Sequence, residues 1–278
     1  MKSNPRTIGL KMKYVCPICK TPLMLQQKTW SCSNNHRFDC AKEGYVNLLP
    51  VQNKHSKDPG DNKEMMFARR EFLNKGHYQL LSDRVNALAK LHSPSAKLGL
   101  DVGCGEGYYS HRLFDSLPEL DLQGLDISKS ALKYASKRYK DMSFCVASAF
   151  EMPFENEQFD FMLRIYAPSL DEELRRVIKP GGTLITVSAG KHHHFALKEL
   201  IYEAPKYHIS ESSYIEGFEL VHRENLESEL ALIDEVDITH FLNMTPYSWK
   251  LSQQQKDHMI SKGLNCELDF KIEVFKAI

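Results

Sequence analysis

The stretch from Leu98 to Gly107, LGLDVGCGEG, sets an apolar run directly before a glycine-rich turn, and the YYS that follows opens a helix. Gly103, Gly105 and Gly107 are spaced G-x-G-x-G. Glycine at such positions lets the backbone turn tightly and approach a ligand without a Cβ in the way. Dinucleotide-binding proteins use a related pattern, so the glycines alone leave two readings open. Charge separates them. A dinucleotide brings a pyrophosphate to the helix N-terminus, whereas here Asp101 and Glu106 flank the loop and would repel that dianion. The same carboxylates favour a cationic ligand, and the sulfonium and α-ammonium groups of S-adenosylmethionine supply matching charges. The third glycine also arrives one residue early for the dinucleotide pattern.

Beyond the loop, strand and helix signals alternate. The sequence predicts strands over 98–102, 120–125, 142–147, 159–165 and 183–188, with helices over 108–117, 129–139 and 170–178 between them. Regular βαβ alternation implies a parallel sheet covered by helices on both faces, an α/β fold of the Rossmann-like class I methyltransferase type. Two late runs, 218–223 and 267–274, are candidates for antiparallel edge strands. Asp126 ends the second strand, where a carboxylate can accept both hydroxyls of a ribose. The run from Cys145 to Ala149 ends the third, where the adenine edge of the cofactor should lie. Lys179-Pro180-Gly181-Gly182 reads as a tight turn into the fifth strand.

Upstream, Asp61 is placed to cap a helix, with Glu64 three residues on. Met65, Met66, Phe72 and Leu73 give that helix an apolar stripe, and a second helix should follow over 80–91. The chain thus divides into a small module over 1–45, a connector over 46–60 ending in Asp58-Pro59-Gly60, and a cofactor-binding domain over 61–278.

The small module carries the cysteines. Of seven in the chain, Cys16, Cys19, Cys32 and Cys40 fall within 25 residues, and in a reducing compartment such a cluster marks metal rather than disulfides. Cys16-x2-Cys19, twelve residues, then Cys32-x3-His36 offers three thiolates and an imidazole, a tetrahedral set suited to a structural zinc ion. Cys40 is the alternative fourth ligand. Cys104, Cys145 and Cys266 read as packing residues. His192-His193-His194 is a weaker metal candidate, because three adjacent histidines cannot all converge on one ion from a regular element.

No apolar run approaches the roughly 18 residues needed to span a bilayer, and the N-terminus lacks the apolar segment of a signal peptide. A cytoplasmic protein with no membrane partner is expected. The net charge of zero conceals an asymmetry. Residues 1–90 hold 16 Lys and Arg against 7 Asp and Glu, while the remainder holds 20 against 29. A basic front on an acidic body points to a polyanionic partner for the first third.

The methyl acceptor is less legible. After the fourth strand the chain reads Leu163-Arg164-Ile165-Tyr166-Ala167-Pro168. It lacks the Asn/Asp-Pro-Pro-Tyr used on exocyclic amines, and it has no cysteine there to attack a pyrimidine ring. Here a family resemblance helps. Cys-Pro-x-Cys at Cys16, FDCAKEGYVNLLP at Phe38–Pro50, DPGD at Asp58–Asp61, GHY at Gly76–Tyr78, DVGCGEGYYS, FCVAS at Phe144, RIYAP at Arg164 and MTPYSW at Met244 span nearly the whole chain. By these strings it resembles the bacterial 23S ribosomal RNA guanine-N1 methyltransferases, which act on a guanine in a hairpin loop.

The resemblance implies a zinc-bearing N-terminal domain that helps bind 23S ribosomal RNA, a class I methyltransferase domain, and a homodimer. It carries cofactor contacts onto Tyr78, Gly105, Glu106 and His193, beside the Asp101, Gly103, Gly105 and Asp126 read from the residues themselves. It completes the metal set with His36 and leaves Cys40 outside. Guanine N1 carries a proton at neutral pH, so transfer needs alignment and a proton acceptor, which the sequence does not name. Arg164 and Tyr166 are candidates for placing the base. Lys42, Lys54, Lys57, Arg69 and Arg70 are candidates for phosphate contact, and Trp30 or Tyr45 for stacking an unpaired base. Two rival readings are a small-molecule methyltransferase of the quinone type and an inactive RNA-binding factor that keeps the fold.

Overall fold

The computed structural model describes residues 13–50, 62–208, 214–247 and 249–278. Three short strands, β1 (Met24–Gln26), β2 (Thr29–Ser31) and β3 (Arg37–Asp39), form an antiparallel sheet of their own. There follow β4 (Val46–Asn47), α1 (Lys63–Asn74), α2 (Gln79–His92), β5 (Leu98–Val102), α3 (Tyr108–Ser116), β6 (Asp121–Asp126), α4 (Lys129–Arg138) and β7 (Ser143–Val146). The chain continues through β8 (Phe159–Ile165), α5 (Asp171–Val177), β9 (Ile178–Ala189), α6 (Phe195–Ile201), β10 (Phe218–Leu232), α7 (Glu235–Met244), α8 (Gln253–Lys262) and β11 (Leu264–Ala277).

The second sheet has eight strands in the order β10-β11-β9-β8-β5-β6-β7-β4. It is parallel from β9 to β4, and β11 joins antiparallel to both β9 and β10. All five residues of β5 are buried, as a central parallel strand covered on both faces requires. From β5 the chain steps to β6 on one side and later to β8 on the other. That reversal makes the carboxyl end of β5 a topological switch point, where open α/β sheets bind their ligands.

Several expectations change. Both late runs extend well beyond their predicted bounds, and only β10 is an edge, because β11 lies between β10 and β9. The polar segment 223–229 alternates in exposure along one continuous hairpin, so its charges mark an exposed face rather than a strand end. The cap of α1 is Asn62, whose side chain accepts from Met65 N–H; Asp61 and the Asp58-Pro59-Gly60 turn lie outside the described residues. Val46 and Asn47, which begin the expected connector, form the far edge of the large sheet beside β7, and Leu48 and Leu49 are buried.

The small module shares a core with the large sheet. Tyr14, Leu23 and Trp30 pack in one apolar cluster with Leu98, Val102 and Phe159. Tyr14 is edge-on to Trp30 at 4.7 Å, stacks on Phe154, and accepts a hydrogen bond from Gln123 in β6. Val15 N–H donates to the Pro153 carbonyl at 3.0 Å, and Lys20 pairs with Glu151. Of the two rings expected to stack on a base, Trp30 is buried in this cluster and Tyr45 in a second one with Leu49 and Phe72, so neither offers a ring face to an outside ligand.

Candidate active site and metal centre

At the carboxyl ends of β5, β6, β7 and β8 lies a cleft of about 780 Å³. Tyr78, Asp101, Gly103, Gly105, Glu106, Asp126 and His193 all line it, from segments up to 115 residues apart in sequence. Gly103, Gly105 and Gly107 have φ of +73°, +57° and +85°, a region that a Cβ makes costly. At Gly103 the fit is also closed to bulk, because a Cβ there would sit 2.3 Å from that of Ala167. At Gly105 the space beside the backbone is open, which leaves room for a ligand against the chain. Asp126 pins this loop: one carboxylate oxygen accepts from Gly105 N–H at 2.8 Å and the other from Ser128 N–H at 2.7 Å.

Electrostatics fit a cation. Asp101 is buried and accepts from the Ser110 hydroxyl, yet burial, with the nearby Asp126 charge, pushes its pKa up to about 7. Burial likewise raises Glu106 to about 7, against the opposing pull of Arg138, Arg69 and Arg70. The Glu106 Oε2 atom is buried and has no hydrogen-bond partner among the described residues. Such an atom is expensive to leave unmet, and a positively charged donor entering the cleft would satisfy it. The residues therefore fit S-adenosylmethionine: Asp126 would meet its ribose hydroxyls, and Asp101 and Glu106 its cationic end. When bound, that cofactor supplies an electrophilic methyl group on a sulfonium sulfur.

The opposite wall is built from β8 and the loop after β9. Tyr166 lines the cleft with φ of +53°, a strained value for a residue with a side chain. Asp269 in β11 organises the loop. Its carboxylate accepts from His192 N–H at 2.9 Å and from Asn225 Nδ2 at 3.0 Å, and a Cβ at Gly190 would fall 1.9 Å from it. The Asp269 N–H donates to His193 Nδ1 at 3.1 Å, which leaves the ring hydrogen on Nε2, 3.4 Å from the Tyr166 hydroxyl. Burial lowers the His193 pKa to about 3, so the ring stays neutral. His194 stacks on His193 and meets the Tyr78 hydroxyl at 2.9 Å.

Arg164 stands apart. It does not line the cleft, and its guanidinium donates to Ser169 Oγ at 2.9 Å on its own loop. Arg69 lines the cleft, Arg70 lies over the rings of Phe67 and Tyr134, and Lys42 is exposed; Lys54 and Lys57 lie outside the described residues. Sequence reasoning missed His194, His208 and Tyr247 as lining residues. Tyr247 sits in the MTPYSW string, which carried part of the family resemblance without giving the residue a role.

In the small module the donor atoms of Cys16, Cys19, Cys32 and His36 all lie within 4.8 Å of one another. Sulfur to sulfur from Cys19 to Cys32 is 3.7 Å, and His36 Nδ1 is 3.5 Å from the sulfurs of both Cys16 and Cys32. A tetrahedron with Zn–S of ~2.3 Å has edges of ~3.8 Å, and one with a nitrogen corner edges of ~3.6 Å. The four residues thus fit a structural zinc ion. Cys40 is outside the group and instead bridges to Val46 through the backbone.

A parallel sheet with this switch point, a glycine loop between two buried acids, and an acidic residue closing the next strand define a class I methyltransferase that uses S-adenosylmethionine. Residues 14–57 match the zinc-ribbon family described as "RlmA, N-terminal", and residues 95–231 match the family described as "Methyltransferase domain". The chain is 30% identical over 246 residues to the 23S rRNA (guanine(748)-N(1))-methyltransferase of Streptomyces fradiae, covering 84% of this chain and 85% of that one. It is also 30% identical over 285 aligned positions to the "Putative 23S rRNA (guanine-N(1)-)-methyltransferase YxjB" of Bacillus subtilis, covering 96% and 98%. The chain belongs to the 23S rRNA (guanine-N1)-methyltransferase family. A demethylmenaquinone methyltransferase of Bacillus licheniformis is 29% identical over 130 residues, covering 43% of this chain and 56% of that protein.

Proposed function

We propose that this enzyme transfers the methyl group of S-adenosylmethionine to N1 of one guanine in a hairpin loop of 23S ribosomal RNA. The observation that carries this reading is that its similarity to the Bacillus subtilis protein covers 96% of the chain, and so takes in both the zinc module and the cofactor domain. Tyr78, Asp101, Gly103, Gly105, Glu106, Asp126 and His193 hold the cofactor, and Tyr166 borders the space left for the base. Cys16, Cys19, Cys32 and His36 hold zinc. The module over 1–45 contributes RNA recognition, the segment 46–60 connects it, and 61–278 carries catalysis. The working form is a cytoplasmic homodimer; among the described residues no helix is long and apolar enough to cross a membrane.

The quinone-type reading draws support from a match confined to less than half of the chain, and it gives the zinc module no task. Incubating the protein with labelled S-adenosylmethionine and unmodified 23S RNA tests the proposal. Label should enter the RNA. Absence of label from free RNA and from every ribosomal assembly state would refute it.

A further inference from the structure

Guanine N1 cannot take a methyl group and remain neutral unless its proton leaves. Most titratable side chains along the cleft are already engaged. Asp101 and Glu106 belong to the glycine loop, on the cofactor's side. The Nδ1 lone pair of His193 is taken by Asp269 N–H, and its Nε2 carries hydrogen. His194 Nε2 meets the Tyr78 hydroxyl.

His208 differs. It lines the same cleft, anchored by its own N–H to the Lys191 carbonyl at 3.1 Å, with the main chain of His193 beside its ring. Its Nε2 atom is buried and has no hydrogen-bond partner among the described residues. An imidazole anchored through its main chain, with a ring nitrogen buried and unmatched among the described residues in a ligand-sized cleft, is arranged to receive a proton.

We propose that Nε2 of His208 is the general base that accepts the N1 proton of the target guanine. This rests on the function proposed above. The N1–H bond breaks toward Nε2 as the N1 electron pair forms a bond to the methyl carbon, and the carbon–sulfur pair stays with sulfur. The products are N1-methylguanine, a neutral thioether and an imidazolium, so the positive charge passes from sulfonium to His208, which then returns its proton to solvent. Lys198, His193 and His194 face this ring, with Asp269 as the nearby acid. Burial and the Lys198 charge lower its pKa from 6.5, so the ring is unprotonated at neutral pH, as a base must be.

The test compares full-length wild type, His208→Gln and His208→Gly in single-turnover methylation of 23S RNA across pH, with cofactor binding followed by calorimetry. Wild-type rate should fall as pH drops through the His208 pKa. His208→Gln should lose about 10²–10⁴-fold in rate and lose that acid limb, with the cofactor Kd unchanged within about twofold. Imidazole should restore rate to His208→Gly in proportion to its unprotonated form. By NMR, the ring signal missing from His208→Gln should titrate below pH 6.5 in wild type. A His208→Gln rate within about threefold of wild type overturns the proposal. So does a loss that accompanies lost cofactor binding and resists imidazole, since that is a structural role. A wild type that leaves guanine N1 unmethylated overturns the functional reading, and this one with it.

Discussion

Two carboxyls with pKa near 7 in the proposed cation site should couple cofactor binding to pH. In the free protein Asp101 and Glu106 titrate at about 7, both because burial penalises the charge. A sulfonium and an ammonium favour the ionised forms, so binding pulls protons off. At pH 7 about half of each group is protonated, and binding should release about one proton in total. At pH 6 only about one molecule in eleven has a given group ionised, so each group weakens binding about fivefold relative to pH 7. Together that is about thirtyfold, or ~2 kcal/mol. Glu106→Gln removes one of the two, leaving about a fivefold dependence on top of a weaker affinity. Isothermal titration calorimetry at pH 6 and 7, in two buffers of different ionisation heat, reads both the Kd ratio and the proton count. A Kd constant within twofold and no proton release would refute the reasoning. The same groups affect stability without ligand. Their folded pKa values lie above their unfolded ones, so the folded state binds more protons between pH ~4 and ~7, and stability should fall as pH rises through that window.

Other consequences are checked more simply. Gly103→Ala adds a Cβ 2.3 Å from that of Ala167 at a φ of +73°; it should cost about 2–4 kcal/mol in denaturant unfolding and weaken cofactor binding more than tenfold. Tyr14→Phe removes the acceptor for the buried Gln123 amide and should cost about 1–3 kcal/mol, read as a lowered unfolding midpoint. Elemental analysis should find one zinc per chain and none in Cys19→Ser/Cys32→Ser. Chelation should red-shift the fluorescence of Trp30, which is buried between the module and the large sheet.

The core of the fold was legible because its signals are local. An apolar run before a glycine turn gave β5 and the loop to the residue, and Asp126 followed from the strand after it. Three of the metal ligands, Cys16, Cys19 and Cys32, were equally local, while the choice of His36 over Cys40 leaned on the family resemblance and is met by the cluster in the fold. What could not be read depends on long-range pairing. Trp30 and Tyr45 look like exposed loop aromatics until the small module is seen to share a core with the large sheet. The length of β10 is set by its hairpin partner β11, not by its own polar sequence. His193, His194 and His208 gain meaning only from Asp269, some 60 or more residues later, which fixes the loop that presents them. Arg164 stands at the end of β8 as its sequence position implied, but that its guanidinium turns to Ser169 on the same loop rather than lining the cleft is visible only in the fold.

The central claim is that the methyl group goes to a ring nitrogen of one ribosomal guanine. Nuclease digestion and mass spectrometry of 23S RNA, after incubation with the protein and methyl-labelled S-adenosylmethionine, tests it most directly. The account predicts a single labelled nucleotide per RNA, N1-methylguanine, in a hairpin loop. Label on an exocyclic amine or on another base, or an RNA without label while a quinone precursor is methylated, would contradict it.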